Sequence, residues 1–149
     1  MLLLGAGGSA RAIGFGLLEE GAHLTLASRT PSSGKALAET LGCPWIPLTD
    51  AGKFQADILI NATSVGMQPN HTLSPIDKKF LAIFSVVMDI VYAPLKTKLL
   101  TEAELAGCTI LNGTEMLLFQ GVHQFERWTG RKAPVEVMRK QLLDAISPS

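Results

Sequence analysis

A glycine-rich segment that begins at residue 5 constrains this chain more than any other feature. Gly5–Ala10 follows three leucines (Leu2–Leu4), precedes a stretch with helical character from Ser9 to Glu20, and matches the pattern G-x-G-x-x-G/A. The first glycine of this pattern permits a tight turn, and the second lets the backbone approach a pyrophosphate. The small last residue allows the helix to pack closely on the strand. The context therefore predicts a dinucleotide-binding loop, and the alternative is an ordinary structural turn.

Short apolar runs alternate with helical patterns along the whole chain. We predict strands at Leu2–Leu4, His23–Ala27, Trp45–Ile46, Asp57–Ile60, Ser85–Ile90 and Cys108–Leu111. We predict helices at Ser9–Glu20, Ser32–Leu41, Thr97–Ala106, Thr114–Trp128 and Pro134–Ile146. Continuous apolar strands that alternate with helices are typical of a parallel sheet covered on both faces. The predicted fold class is therefore α/β: a Rossmann-like, doubly wound, mainly parallel six-stranded sheet with C-terminal helices. Met67–Lys79 is predicted to be a mobile surface loop.

Length and charge favour a single domain and give no support to a nucleic-acid-binding or membrane-spanning protein. The chain has 149 residues, enough for one domain, and its 13 basic residues balance 13 acidic ones. This neutrality gives no electrostatic reason to expect a nucleic-acid partner, and no apolar run approaches the roughly 20 residues of a membrane span. Cys43 and Cys108 lack metal-ligand spacing and are expected to be buried thiols in a reducing compartment. We therefore expect a cytoplasmic protein without a metal site, and the oligomeric state stays open.

The residues after the second predicted strand indicate which dinucleotide is bound. An NAD site places a carboxylate there to accept a hydrogen bond from the ribose 2′-hydroxyl. Here the chain has Ser28, Arg29 and Thr30, with Lys35 as a second positive charge in the next helix. A guanidinium can pair with a 2′-phosphate, and the hydroxyls can donate further hydrogen bonds. The sequence therefore favours NADP, and the alternative is a solvated turn with an exposed arginine.

Three further segments follow predicted strands and complete a pattern. They are Asn61–Met67, Asp89–Thr97 and Gly113–Gln120. Together with Gly5–Arg11 and Ser28–Thr30, they resemble the NADP-binding domain of shikimate dehydrogenases, in the family's order and over nearly the whole chain. Each segment lies at the predicted carboxyl end of a strand, where open parallel sheets bind ligands.

The resemblance implies a role for each matching residue. It assigns the pyrophosphate to Gly5, Ala6, Gly7, Gly8 and Ser9. It assigns the adenosine 2′-phosphate to Ser28, Arg29, Thr30 and Lys35, and the nicotinamide-side ribose to Thr63 and Ser64. It assigns the nicotinamide to Ile90, Gly113 and Met116, with Gly113 tolerating close approach of the ring, and the substrate to Tyr92 and Gln120. The chain departs from the family at Ser28, where Asn is common, and in a slightly long interval from Thr30 to Lys35.

Other interpretations of these residues remain open. Tyr92, the only tyrosine, could simply anchor a loop beside a proline, and Gln120 could face solvent. The three histidines are predicted to be structural or surface groups. The aromatic residues Trp45, Trp128 and Phe125 are predicted to belong to the core.

Hydride transfer to a ketone also needs a proton donor near the carbonyl. In shikimate dehydrogenases, as the resemblance implies, a Lys and an Asp of a separate N-terminal substrate domain serve there. We expect residues 1–149 to form the NADP-binding domain only, with that domain absent and no catalytic residue in this chain.

The predicted function is accordingly that of the cofactor domain of an NADP-dependent shikimate 5-dehydrogenase, an enzyme of aromatic amino acid biosynthesis. The full-length enzyme would transfer hydride reversibly between NADPH and 3-dehydroshikimate, giving shikimate. The isolated chain is expected to bind NADP without turnover. The alternatives are a quinate/shikimate dehydrogenase domain, a non-catalytic NADP(H)-sensing module, or a structural domain with a vestigial loop.

Overall fold

A computed structural model describes residues 1–146 and shows six strands and five α-helices within that range. The strands are β1 (Leu2–Leu4), β2 (Thr25–Ser28), β3 (Trp45–Pro47), β4 (Ile58–Asn61), β5 (Val86–Asp89) and β6 (Thr109–Leu111). The helices are α1 (Gly8–Glu19), α2 (Pro31–Leu41), α3 (Lys98–Leu105), α4 (Thr114–Thr129) and α5 (Val135–Ile146). Every predicted strand and helix is present, with ends that differ by at most two residues.

The six strands form a single parallel sheet in the order β3-β2-β1-β4-β5-β6. β1 is central, and its Leu3 lies between Leu26 of β2 and Ile60 of β4. The chain adds strands on one side of β1 and then on the other, so the strand order reverses between β1 and β4. Ligands of doubly wound folds bind at the carboxyl ends of the strands beside such a reversal. The Rossmann-like fold class is confirmed.

Two core clusters cover the two faces of this sheet. Leu2 and Leu4 point to one face, where they join a cluster that contains Leu99 and Leu100 of α3. Leu3 points to the other face and joins a cluster with Ala10 of α1 and Leu37 of α2. Successive side chains of a strand alternate between faces, so a strand buried on both faces needs an uninterrupted apolar run.

Two 3-10 helices, Leu48–Lys53 and Lys78–Ile83, were not predicted from the sequence. The second follows Ile76, which is 7% exposed, and contains Leu81, which is fully buried. Both side chains belong to the core cluster on the α3 face. The end of the predicted surface loop Met67–Lys79 is therefore fastened to the core.

The last two helices form a hairpin with its own small core. Leu118 and Val122 of α4 pack with Ala133, and Phe125 packs partly buried against them. The prediction that Trp128 belongs to the core is wrong, because its side chain is 78% exposed. Trp128 lies in the last turn of α4, beside the exposed link that leads to α5.

The structure also shows where the helices, possible metal ligands, cysteines and histidines lie. Within residues 1–146 no helix combines the length and apolar character needed to cross a membrane. The same range contains no cluster of three or more His, Cys, Asp or Glu side chains arranged to hold a metal ion. Cys43 and Cys108 are free thiols, and Cys108 is buried. All three histidines are exposed.

Candidate functional site

The turn between β1 and α1 requires glycine at its first position for reasons internal to the fold. Gly5 has a backbone φ of +116°, which residues other than glycine rarely adopt. A Cβ at this position would lie 2.9 Å from the carbonyl oxygen of Ala62. The Gly5 amide donates to the carbonyl of Ala27 at 2.8 Å. Gly5 therefore lets the chain turn tightly between neighbouring strands.

Gly7 and Gly8 have no such internal reason to be glycine. Gly7 caps α1 with φ −91°, which any residue can adopt, and a Cβ at either position would meet no protein atom within 4 Å. No side chain caps this helix end, and its first turn carries no acidic residue. The glycines thus leave open space above free N–H groups at the positive end of the helix dipole, which suits a phosphate.

A cavity of about 230 Å³ lies beside this turn. Its lining combines the glycine turn, the end of β2, the start of α2 and the loop after β4. The residues are Gly5, Ala6, Ser28, Arg29, Thr30, Ser33, Leu48, Thr63, Ser64, Val65 and Pro75. The structure therefore brings together the first two motifs that the sequence singled out, and we refer to this space as the first cavity.

Arg29 is the charged side chain in the lining of the first cavity. It is exposed, and none of the ion pairs found within residues 1–146 involves it. Ser28, in contrast, is 4% exposed, and its Oγ donates to the carbonyl of Thr30 at 3.0 Å. The hydroxyl proton of Ser28 is thus already engaged within the turn.

Lys35 lies outside the first cavity. Its Nζ sits over the ring of Trp45, 5.2 Å from the ring centroid, which is a cation–π distance. The structure therefore does not bring this predicted second positive charge to the space beside Arg29.

A second cavity, of about 270 Å³, lies on the other side of the loop that follows β4. Its lining is Ser9, Ala62, Thr63, Ser64, Met67, Ile90, Val91, Tyr92 and Ala93. Thr63 and Ser64 border both cavities. The two cavities therefore lie next to each other along the carboxyl edge of the sheet, with the glycine turn beside the first. Two neighbouring cavities suit a ligand with two bulky ends joined by a phosphate bridge.

A buried carboxylate connects the segments that border the second cavity. Asp89, at the end of β5, is fully buried. Its Oδ1 accepts hydrogen bonds from Asn61 Nδ2 and from the Val91 amide, both at 3.0 Å. Its Oδ2 accepts from Thr97 Oγ1 at 2.7 Å, and Thr97 in turn caps α3. Burial raises the pKa of Asp89 above the ordinary carboxyl value, and these hydrogen bonds oppose the rise.

Asn61, the fully buried partner of Asp89, holds the loop after β4 in shape. Its Oδ1 accepts from the Thr63 amide at 3.1 Å and from Thr63 Oγ1 at 2.7 Å. Its Nδ2 also donates to the carbonyl of Val65 at 3.2 Å. Sequence reasoning did not single out this role for Asn61 and Asp89. The available signal was a polar residue at the end of each of two apolar strands, a position where burial requires hydrogen-bond partners.

The segment at residues 113–120 lies outside the linings of the two cavities. Gly113 was expected to make room for a ligand ring, but a Cβ there would overlap the carbonyl of Ile90. The glycine is therefore explained by the packing of the α4 N-terminus on the end of β5. Met116 is half-buried and Gln120 is exposed on α4, and neither belongs to the lining of the two cavities described above.

Comparison with known proteins places this architecture in a family. The family model for the C-terminal domain of shikimate 5′-dehydrogenase matches residues 113–143. A shikimate dehydrogenase (NADP(+)) from Natronomonas pharaonis is 45% identical over 148 residues, which cover 97% of this chain and 55% of that protein. The chain belongs to the shikimate dehydrogenase family.

Solved structures of shikimate dehydrogenase family members share this fold over nearly all of the chain. The Thermus thermophilus shikimate 5-dehydrogenase, in complex with NADP(H) and shikimate, aligns with a TM-score of 0.86 at 36% identity. The alignment covers 97% of this chain and 54% of that one. A quinate dehydrogenase from Corynebacterium glutamicum in complex with NAD aligns with a TM-score of 0.89 at 31% identity, over 96% of this chain and 54% of that one. The chain thus spans about half the length of the shikimate dehydrogenases it matches.

Proposed function

We propose that this chain is the NADP-binding domain of a shikimate dehydrogenase. In the whole enzyme it would support reversible hydride transfer between NADPH and 3-dehydroshikimate, giving shikimate. The observation that carries the proposal is the open space above Gly7 and Gly8 together with an unpaired Arg29 in the adjoining cavity. Curated relatives with NADP(+) in their names, which are 45% and 42% identical to this chain over the aligned residues, support it.

The backbone amides at the start of α1 would hold the pyrophosphate. Gly5, Ala6, Gly7, Gly8 and Ser9 form the turn, and the helix N-terminus supplies donors and partial positive charge without any side-chain cap in competition. A side chain at Gly7 or Gly8 would fill the space that a phosphate needs.

The first cavity would hold the adenosine half, with Arg29 recognising the 2′-phosphate. A guanidinium keeps its charge at physiological pH and pairs with phosphate through two parallel hydrogen bonds. Thr30 also borders this cavity and can donate a hydrogen bond, whereas Ser28 contributes through its position in the turn. The absence of a carboxylate from the lining favours the phosphorylated cofactor over NAD.

The second cavity would hold the nicotinamide half, which supplies the hydride when bound. Thr63 and Ser64 would contact its ribose, and Ile90 would pack against the ring. The family resemblance also assigns Gly113 and Met116 to the nicotinamide, although neither belongs to the lining of this cavity. Tyr92 is 41% exposed at this cavity, so its phenol is accessible to a substrate, and Gln120 would reach the same substrate from α4.

The proton donor for the carbonyl would come from a substrate domain outside these 149 residues. The charged or titratable side chains in the linings of the two cavities are Arg29 and Tyr92. Neither lining contains a lysine, histidine or carboxylate that could serve as general acid near neutral pH. We therefore propose that the chain alone binds NADPH but does not turn over shikimate. Closure of the two domains would exclude water from the cleft.

Arg29→Ala tests the assignment of the cofactor. Isothermal titration of the purified chain should give tighter binding of NADPH than of NADH, and R29A should reduce NADPH affinity by about tenfold or more while sparing NADH. Arg131→Ala, at an exposed arginine in the link between α4 and α5, is the matched control and should bind like the parent. Equal affinity of R29A and the parent for NADPH would refute the role of Arg29. Measurable shikimate oxidation by the chain alone would refute the division between domains.

A quinate-preferring enzyme is the second candidate, favoured by the similarity to the C. glutamicum quinate dehydrogenase. That structure holds NAD, whereas the lining here offers Arg29 and no carboxylate. A cofactor-sensing module without chemistry is less consistent with an accessible tyrosine at the second cavity. We also propose a cytoplasmic location, since the free Cys43 and Cys108 suit a reducing compartment.

A further inference from the structure

The hydroxyl of Ser28 is held between two partners. Its Oγ accepts a hydrogen bond from Trp45 Nε1 at 2.9 Å and donates one to the carbonyl of Thr30 at 3.0 Å. Trp45 belongs to the neighbouring strand β3, where it pairs with Leu26 of β2. The indole therefore ties the strand at the sheet edge to the turn that carries Arg29.

The carbonyl of Thr30 is fixed by three donors. Besides Ser28 Oγ, it accepts from Ser33 Oγ at 3.2 Å and from the Gly34 amide at 3.1 Å. The hydrogen bond from the Gly34 amide belongs to the first turn of α2, and Thr30 is the N-cap of that helix. Residues on both sides of Arg29 are therefore held, although the Arg29 side chain itself is exposed.

Gly34 shows how closely these groups pack. A Cβ at Gly34 would overlap both Ser28 Oγ and Trp45 Nε1. Gly34 is buried within α2, where glycine is otherwise less favourable than alanine. The glycine is explained by the room that the Trp45–Ser28 hydrogen bond occupies.

We propose that Trp45 is a positioning residue for cofactor selection, acting through Ser28 and the Thr30 carbonyl to fix the backbone on either side of Arg29. This inference rests on the proposed function. A preorganised backbone reduces the entropy lost when the guanidinium pairs with a phosphate. NADH has no 2′-phosphate, so the benefit applies to NADPH alone.

Trp45→Phe removes the N–H donor and keeps an aromatic ring beneath Lys35. Ser28→Ala removes the group through which the donor acts. Each variant should weaken NADPH binding by about three- to tenfold, the value of one hydrogen bond of ordinary net strength, and leave NADH affinity within about twofold. Because both changes break the same connection, the double variant should bind NADPH no more weakly than S28A.

Matched controls use the same chemistry at other positions. Trp128→Phe alters the other tryptophan of the chain, which is 78% exposed on α4. Ser32→Ala alters an exposed serine of α2. Both should keep the parental ratio of NADPH to NADH affinity. Urea unfolding of every variant measures the fraction folded at the temperature of titration, so that affinities refer to folded protein.

The outcomes separate this inference from the proposed function. If the parent chain fails to prefer NADPH over NADH, the proposed function fails and the inference with it. If the parent shows the preference and W45F and S28A keep the same ratio, the positioning role alone is refuted. Equal weakening of both cofactors would mean a general loosening of the fold, and would also refute it.

Discussion

At the scale of single residues, the turn after β1 uses glycine for two separate physical reasons. Gly5 has a positive φ and no room for a Cβ against Ala62, so the fold itself demands it. Gly7 has an ordinary conformation and open space on its Cβ side, so no described residue demands glycine there, and in the proposed function the demand comes from a ligand. The sequence motif alone cannot separate these two reasons, because each of them places a glycine in the chain.

Substitution by alanine should separate them by experiment. Gly5→Ala should lower the free energy of unfolding by about 1–3 kcal/mol, because it combines an unfavourable φ with a backbone clash. Gly7→Ala should change the free energy of unfolding by less than about 0.5 kcal/mol and weaken NADPH at least about tenfold, because the added methyl group occupies phosphate space. Urea unfolding and isothermal titration measure the two effects. Unchanged NADPH affinity in G7A would contradict the assignment of this turn.

At the scale of elements, strand ends supply the site and a buried network holds them together. Asp89 ends β5, Asn61 ends β4 and Thr97 caps α3, and the three side chains hydrogen bond in the interior. Three donated hydrogen bonds offset part of the cost of burying this carboxylate, and its pKa stays raised. The two segments that border the second cavity therefore share one anchor.

Asp89→Asn tests the electrostatics of that anchor. The pKa of Asp89 is raised in the folded protein, so its contribution to stability is full below the unfolded-state pKa and is lost as pH rises through the folded-state pKa. An asparagine can accept from Asn61 and Val91 and donate to Thr97 Oγ1, and it does not ionise. The free energy of unfolding of D89N relative to the parent should therefore increase on going from about pH 4 to pH 7. Urea unfolding at several pH values measures this difference, and parallel pH profiles for the two proteins would contradict it.

The sequence allowed the elements to be predicted better than the connections between side chains. Continuous leucines in β1 and the glycine turn both follow local rules, so the strand and the helix were predictable. The 3-10 helix at Lys78–Ile83 has no periodic signal, and core contacts of Leu81 determine its placement. The prediction that Trp128 belongs to the core was wrong because apolar character alone does not show whether another element covers a side chain. The Trp45–Ser28 bond joins residues 17 apart, a pairing that only the sheet order reveals.

At the scale of the whole molecule, one edge of the sheet gathers all the binding features. Both cavities lie where the strand order reverses, while the α4–α5 hairpin has its own core and leaves Phe119, Trp128 and Val137 exposed. The chain spans about half the length of its curated relatives, and the linings of the two cavities contain Arg29 and Tyr92 but no lysine, histidine or carboxylate. These features are consistent with a division of labour between cofactor binding and proton transfer.

A crystal structure of the chain with NADP⁺ tests the central claim most directly. We expect the pyrophosphate above Gly7 and Gly8, the 2′-phosphate against the Arg29 guanidinium, and the nicotinamide in the cavity bordered by Ile90 and Tyr92. This orientation follows from the proposal that Arg29, in the lining of the first cavity, pairs with the 2′-phosphate. A cofactor bound elsewhere, or in this cleft with Arg29 directed away from the 2′-phosphate, would contradict the account.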